Sequence, residues 1–191
     1  MTRPRLSFAR SLFARPLAVL AAGGALAFLA APAQAELPVG AKAPLFATQG
    51  ALAGKAFGFS LAEALKKGPV VLYFYPKAFT QGCTLEAHAF AEAINDFQKA
   101  GATVIGMSAD NITTLQKFST EECRDKFPVG VADARVIKDY DVALSLLGIP
   151  ASLTKRTSYV IGRDGRIKLA YTDMDYRDHV ARTLAAVRAL K

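Results

Sequence analysis

Residues 70–75, Val-Val-Leu-Tyr-Phe-Tyr, constrain this chain more than any other stretch. Six consecutive apolar side chains, β-branched and aromatic for the most part, have the length of a strand. They lack the polar alternation of one exposed on a face, so the run predicts a strand covered on both sides. Pro76 ends it. With Thr80 as N-cap, the residues that follow read as a helix with Leu85, Ala89, Phe90, Ile94 and Phe97 on one apolar face, stopping at Gly101. That register puts Cys83 at the third helical position. There the hydroxyl of Thr80 is expected to accept from the Cys83 backbone N–H, and the free N–H groups and helix dipole favour a thiolate over a thiol.

The first 35 residues read as an export signal. Arg3, Arg5, Arg10 and Arg15 make a basic start, residues 17–29 an apolar run, and Ala33-Gln34-Ala35 a small-residue cleavage site, so that the mature chain would begin at Glu36. The apolar run falls short of the ~20 residues a spanning helix needs, which makes an uncleaved anchor the weaker reading. The segment carries no Arg-Arg pair, and no cysteine stands directly after the cleavage site, so a general secretory signal to the periplasm is expected, with no stable membrane association afterwards. Its four arginines account for half of the net charge of +8. The remaining lysines, among them Lys66, Lys67, Lys99, Lys117, Lys138 and Lys168, are scattered without interleaved aromatics, and nucleic-acid binding gains no support.

Residues 36–191 read as one domain, with 52% hydrophobic content in the whole chain ample for a core. Residues 45–46 and 51–59, punctuated by Gly50, Gly54 and Gly58, suggest an N-terminal hairpin. Ser60-Leu61-Ala62-Glu63 is a capping box opening a short helix that stops near Gly68-Pro69. After the Cys83 helix come a second buried strand (102–107), a helix (112–126), a short extended piece (127–131) and a short helix (134–140). Residues 157–161 and 166–171, joined through Arg163-Asp164-Gly165, make a hairpin, and residues 175–190 a closing amphipathic helix with Val180, Leu184 and Val187 on its apolar side. A βαβ unit followed by a hairpin and a terminal helix is an α/β, thioredoxin-like arrangement: a central mixed β-sheet flanked by helices, with an N-terminal β-hairpin.

The octapeptide Pro76-Lys77-Ala78-Phe79-Thr80-Gln81-Gly82-Cys83 fits the P-x-x-x-T-x-x-C pattern of peroxiredoxins, and FYPKAFTQGCTLEA resembles the peroxiredoxin Q subgroup, also called bacterioferritin comigratory protein. The similarity runs over residues 37–191 and includes the strand 156–161 with its Arg-Asp-Gly turn; Arg156 stands where that family keeps an arginine. The resemblance implies a peroxidase working on hydrogen peroxide and organic hydroperoxides, recycled by a thioredoxin-like or small-thiol reductant, without a cofactor. Cys83 would be the nucleophile, since a thiolate must attack one peroxide oxygen while the other gains negative charge. Thr80 would bond the sulfur and the peroxide, and Arg156 would give fixed positive charge to the thiolate and transition state. Pro76 would close the loop over the sulfur. The product is a sulfenic acid that a second thiol must condense with.

Blander readings stand beside these. A lone helical cysteine is most often a small buried hydrophobe, Thr80 could serve only as an N-cap, and Arg156 taken alone would be a solvated strand-end residue. Glu86 reads equally as a surface charge or a structural group. His88 and His179, without cysteine or carboxylate at ligand spacing, give little reason to expect a metal. Many peroxiredoxin Q proteins carry a second cysteine five residues after the first, where this chain has His88. Only Cys123 remains, on the stripe Leu115-Ser119-Cys123 of the next helix. Some members of the subgroup keep a resolving cysteine in that helix; a free bystander and a structural disulfide are the alternatives. Two other function classes stay open. A periplasmic thiol-disulfide oxidoreductase would want C-x-x-C where Thr80 and Cys83 stand, and a copper-binding module would want paired cysteines with a nearby histidine.

Overall fold

The computed structural model describes residues 36–146 and 149–190. The expected signal, residues 1–35, lies outside the described residues. The chain opens with a hairpin of β1 (Ala47–Leu52) and β2 (Lys55–Ser60). Its two-residue turn puts both Ala53 (φ 49°) and Gly54 (φ 73°) in the left-handed region, the twist that suits a tight hairpin. Ser60 then caps α1 (Leu61–Lys67), its hydroxyl accepting from the Glu63 N–H as the capping box predicts.

The expected buried strand forms as β3 (Val70–Phe74), every side chain of which is buried. It leads into α2 (Gln81–Lys99), β4 (Thr103–Ser108), α3 (Ile112–Glu121), β5 (Val129–Val131) and α4 (Ala134–Asp139). A separate two-stranded sheet of β6 (Ala143–Leu146) and β7 (Ile149–Thr154) follows. The hairpin of β8 (Thr157–Ile161) and β9 (Ile167–Thr172) and the closing α5 (His179–Arg188) complete the chain. The main sheet has seven strands in the order β2-β1-β5-β4-β3-β8-β9. Parallel pairs β3·β4 and β4·β5 sit at its centre, and the other pairings are antiparallel, so the sheet is mixed.

Side chains of β3 alternate between two cores. Val71 and Tyr73, with Tyr75 just beyond, join Phe90 and Phe97 of α2 and Leu115 and Phe118 of α3, whereas Val70, Leu72 and Phe74 join Leu61 and Leu65 of α1 and Val136 of α4. Helices thus cover both faces, which is why the strand shows no polar alternation.

Four features differ from expectation. The buried stripe of α2 is Cys83, Ala87, Phe90, Ile94 and Phe97, together with Glu86 and Ala91; Leu85 is exposed and Ala89 half-buried. Phe90, Ile94 and Phe97 keep the expected places, and only the N-terminal part of the stripe runs through Cys83, Glu86 and Ala87 instead of Leu85 and Ala89. Helix α3 ends at Glu121, since Arg124 and Asp125 both take positive φ (53° and 58°). Cys123 therefore lies in the turn beyond the helix, its N–H bonded to the Phe118 carbonyl. Helix α5 starts only at His179, because Asp173 and Asp175 accept from the N–H groups of Asp175 and Arg177 and hold the preceding chain in local turns that compete with helix. The β6·β7 pair was not anticipated: Pro150 within β7 weakens any strand signal.

Candidate active site

Cys83 is the third residue of α2, as the motif register requires, and is 2% exposed. The antiparallel pairing of β3 with β8 sets Phe74 opposite Thr157. Arg156, one residue before β8, is thereby delivered to the end of β3 from which the chain turns into α2. It is buried, and its Nη2 donates to Cys83 Sγ at 3.5 Å. Gly82 leaves the room: a Cβ there would lie 3.2 Å from Arg156 Nη2. The other guanidinium donors are also taken, Nη1 by Glu86 Oε2 and Nε by the Met174 carbonyl at 3.0 Å. Three acceptors from α2 and the segment after β9 thus fix the planar fork against the sulfur.

The loop between β3 and α2 is pinned from several sides. The Tyr75 N–H donates to the Met107 carbonyl (3.0 Å), the Tyr75 carbonyl accepts from the Thr154 hydroxyl (2.7 Å), and the Ala78 N–H donates to Asp110 Oδ2 (2.8 Å). Asp110 Oδ2 also accepts from the Ser108 hydroxyl at 2.9 Å. Phe79, at φ 64°, sets its ring edge-on to Phe118 at 5.3 Å. Pro76 is half-buried at the start of this loop. Thr80 occupies the N-cap position, yet its hydroxyl donates to the Lys77 carbonyl (2.9 Å) and makes no cap bond. The expectation that it accepts from the Cys83 N–H is corrected: the tight turn puts a backbone acceptor within its reach.

Glu86 is no surface charge. It is fully buried one turn after Cys83, and burial pushes its carboxyl up to about 8 even with the Arg156 guanidinium beside it. Its Oε1 has no hydrogen-bond partner. The group facing that oxygen is His179 of α5, whose Nδ1 lies 3.9 Å away. His179 Nε2 contacts the Asp173 carbonyl at 3.0 Å, which can only accept, so Nε2 carries the hydrogen; Nδ1 is then free to accept from the Ser158 hydroxyl at 2.8 Å. Burial lowers the imidazole's affinity for a second proton, and the nearby Arg156 charge works in the same direction. The hydroxyls of Tyr73 and Tyr75 are buried and unpartnered, and burial raises both phenols.

Cys83 and Cys123 are both free thiols. Cys123 belongs to the same core as Cys83 and is fully buried, and burial, reinforced by Glu122 and Asp125, pushes its thiol well above the ordinary range. Two contacts tie its turn to α2, a hydrogen bond between His88 and Glu122 at 2.7 Å and an ion pair between Glu92 and Arg124 at 3.5 Å. His88, read as an isolated histidine, is one of these ties. Among the described residues, no group of three His, Cys, Asp or Glu is placed to hold a metal ion.

The structure therefore brings Cys83, Arg156 and Glu86 into contact and sets Pro76 and Thr80 in the adjoining loop, with Cys123 buried nearby in the same core. Sequence reasoning left Glu86 open, although its i+3 spacing from Cys83 places it on the same helical face. It considered His179 only as a ligand, and it did not single out Asp110, for which the sequence carries no signal.

A buried cysteine in the first turn of the helix after a central strand, faced by a guanidinium from an adjacent strand, defines a thioredoxin-like protein built around one thiol. Residues 39–170 match the AhpC/TSA family, and the chain belongs to it. It is 35% identical over 126 residues, 65% of its length, to a chloroplastic peroxiredoxin Q of Suaeda salsa; the match spans 58% of that relative, less than two thirds of its length. Among solved structures, it is similar to the peroxidoxin BcpB from Mycobacterium tuberculosis (TM-score 0.72, 30% identity, 81% of this chain and 99% of that one). It is also similar to the Xanthomonas campestris bacterioferritin comigratory protein, described for alkyl peroxide reduction (TM-score 0.65, 27% identity, 74% and 90%).

Proposed function

We propose that this chain is a thiol peroxidase that reduces hydrogen peroxide and organic hydroperoxides at Cys83. The observation that carries the reading is the Arg156 guanidinium 3.5 Å from a buried sulfur at a helix N-terminus. The Cys83 thiolate attacks one peroxide oxygen; the S–O bond forms, the O–O bond breaks, and the departing oxygen leaves as alcohol or water once it gains a proton. Arg156 supports the thiolate and the charge that develops on oxygen. Thr80, at the mouth of the loop, bonds the incoming peroxide with its hydroxyl, and Pro76 limits water at the sulfur. The alkyl-peroxide activity named for the Xanthomonas relative supports the organic substrates.

Cys123 then condenses with the Cys83 sulfenic acid, and a thioredoxin-like or small-thiol donor reduces the disulfide. The chain is exported to the periplasm by residues 1–35. N-terminal sequencing of the protein recovered from that compartment is expected to begin at Glu36, and recovery of the intact leader in the cytoplasm would reject this. The two rival classes are disfavoured on chemistry: Thr80 cannot supply the second sulfur of a dithiol oxidoreductase, and a fixed guanidinium on Sγ opposes binding of a copper cation.

The test is intact mass of the reduced protein after one equivalent of hydrogen peroxide, with and without a thiol-blocking reagent. Loss of two hydrogens and of both blockable thiols is expected, and Cys83→Ser is expected to abolish peroxide consumption. A single added oxygen on Cys83 with Cys123 still blockable would leave a one-cysteine peroxidase. Retained turnover in Cys83→Ser would sink the proposal.

A further inference from the structure

The cluster around Arg156 holds one permanent cation and two acids that compete for it. The same guanidinium donates to Cys83 Sγ through Nη2 and to Glu86 Oε2 through Nη1, and all three side chains are buried. Two anions against one cation in a buried site would leave an uncompensated buried charge, which is strongly unfavourable. The second oxygen of Glu86 makes the same point. Oε1 has no partner, a heavier penalty for a carboxylate than for a carboxylic acid. The ionisable groups against Glu86 are consistent with this count: His179 from α5 is neutral and gives no second cation, Tyr73 from β3 is a buried phenol held neutral by burial, and Cys83 shares its helix.

We propose that Glu86 is a positioning residue that trades its proton against the charge of Cys83. It is a carboxylic acid while Cys83 is a thiolate and a carboxylate once Cys83 is oxidised, so that Arg156 always faces one anion. The inference rests on the peroxidase reading above and adds the proton balance of its first step. Cys83–S⁻, Glu86–COOH and ROOH become Cys83–SOH, Glu86–COO⁻ and ROH. Sulfur loses two electrons to the peroxide, the S–O bond replaces the O–O bond, and the proton that the departing oxygen requires is matched by the one Glu86 gives up. Negative charge moves from sulfur to carboxylate across one guanidinium, and the net charge of the buried cluster does not change. Burial raises the carboxyl's affinity for its proton to about 8, which fits an acid that is held at neutral pH; its release on oxidation follows from the guanidinium that Cys83 and Glu86 share, which is left with no other anion once the thiolate is gone.

Proton uptake from solvent distinguishes this from the ordinary case, in which each thiolate oxidised to sulfenic acid draws one proton from water. Cys123→Ser protein, whose product stays at the sulfenic acid, is mixed with one equivalent of hydrogen peroxide in weak buffer containing a pH indicator. The ultraviolet thiolate band reports the initial state of Cys83, and intact mass reports its oxidation. At about pH 7 no net uptake is expected, rising to one proton per oxidised Cys83 as the pH passes about 8; the same protein carrying Glu86→Gln, whose side-chain carbonyl still accepts from Arg156, is expected to take up one proton per oxidised Cys83 at both pH values, provided the thiolate band shows Cys83 ionised beforehand. A Glu86 with only a packing role would leave the stoichiometry of the two proteins alike. Uptake of one proton at pH 7 with Glu86 in place, or none in the Glu86→Gln protein, would overturn the inference while oxidation of Cys83 still upheld the peroxidase. Absence of any added oxygen would instead reject the peroxidase reading itself.

Discussion

Arg156 is the residue on which the candidate site turns, because its three donor positions answer to three different acceptors: the Cys83 sulfur, the Glu86 carboxyl and the Met174 carbonyl. A lysine has a point charge on a flexible stem and cannot reach all three. Arg156→Lys is therefore expected to lower the rate constant for oxidation of Cys83 by about 100-fold, read from competition with a haem peroxidase for limiting peroxide. A loss of less than about fivefold would mean that the fork geometry is unimportant. Cys83 and Arg156 were legible as a pair only through the motif, since 73 positions separate them. Glu86 was not: a glutamate in an exposed helix face and one buried under a guanidinium read alike until the partner is in view.

At the scale of elements, the site depends on where β3 stops and on how α2 and the Cys123 turn lie together. The strand run, the Pro76 stop, the Ser60 capping box and the Arg163-Asp164-Gly165 turn were all readable, because each is a local preference of the backbone. The buried face of the first turns of α2, the early end of α3 and the late start of α5 were not, since these follow from the contact of Glu86 with Arg156, two left-handed residues and competing aspartate turns. Cys123 is fully buried in its turn and tied to α2 by His88–Glu122 and Glu92–Arg124, while a disulfide with Cys83 needs Cα atoms within ~7 Å and correctly aimed sulfurs. Formation of the bond is expected to be limited by local opening. Past saturation its rate does not rise with peroxide, and Glu122→Gln, which weakens one tie, speeds it by about threefold. Quenched-flow mass measurement follows both; a rate that climbs without limit as peroxide is added would reject the opening step.

For the molecule as a whole, the buried Arg156 cluster couples stability to pH. The folded-state value of Glu86, about 8, lies above that of an exposed glutamate. The unfolded state therefore loses its proton first, so the stability this group contributes is complete below about pH 4 and is lost as pH rises toward 8. His179 has the opposite sign: burial lowers it, and its contribution is lost as pH falls below its unfolded value of about 6.5. Relative to the native protein, Glu86→Gln is expected to gain roughly 4 kcal/mol between about pH 5 and pH 8.5, measured by urea unfolding; an unchanged difference would show that Glu86 does not titrate on folding. What the sequence determined by itself were the features governed by neighbours along the chain: the doubly buried strand, the helix register that puts Cys83 in the first turn, the hairpins, and the α/β class that follows from their order. What only the tertiary structure decided were the features that need two distant segments in one place. Strand pairing sets Arg156 against Cys83, α5 brings His179 to Glu86, and Asp110 holds the loop. Burial then changes the charge state of groups whose sequence neighbours give no sign of it, because the cost of a charge is set by what surrounds it in space.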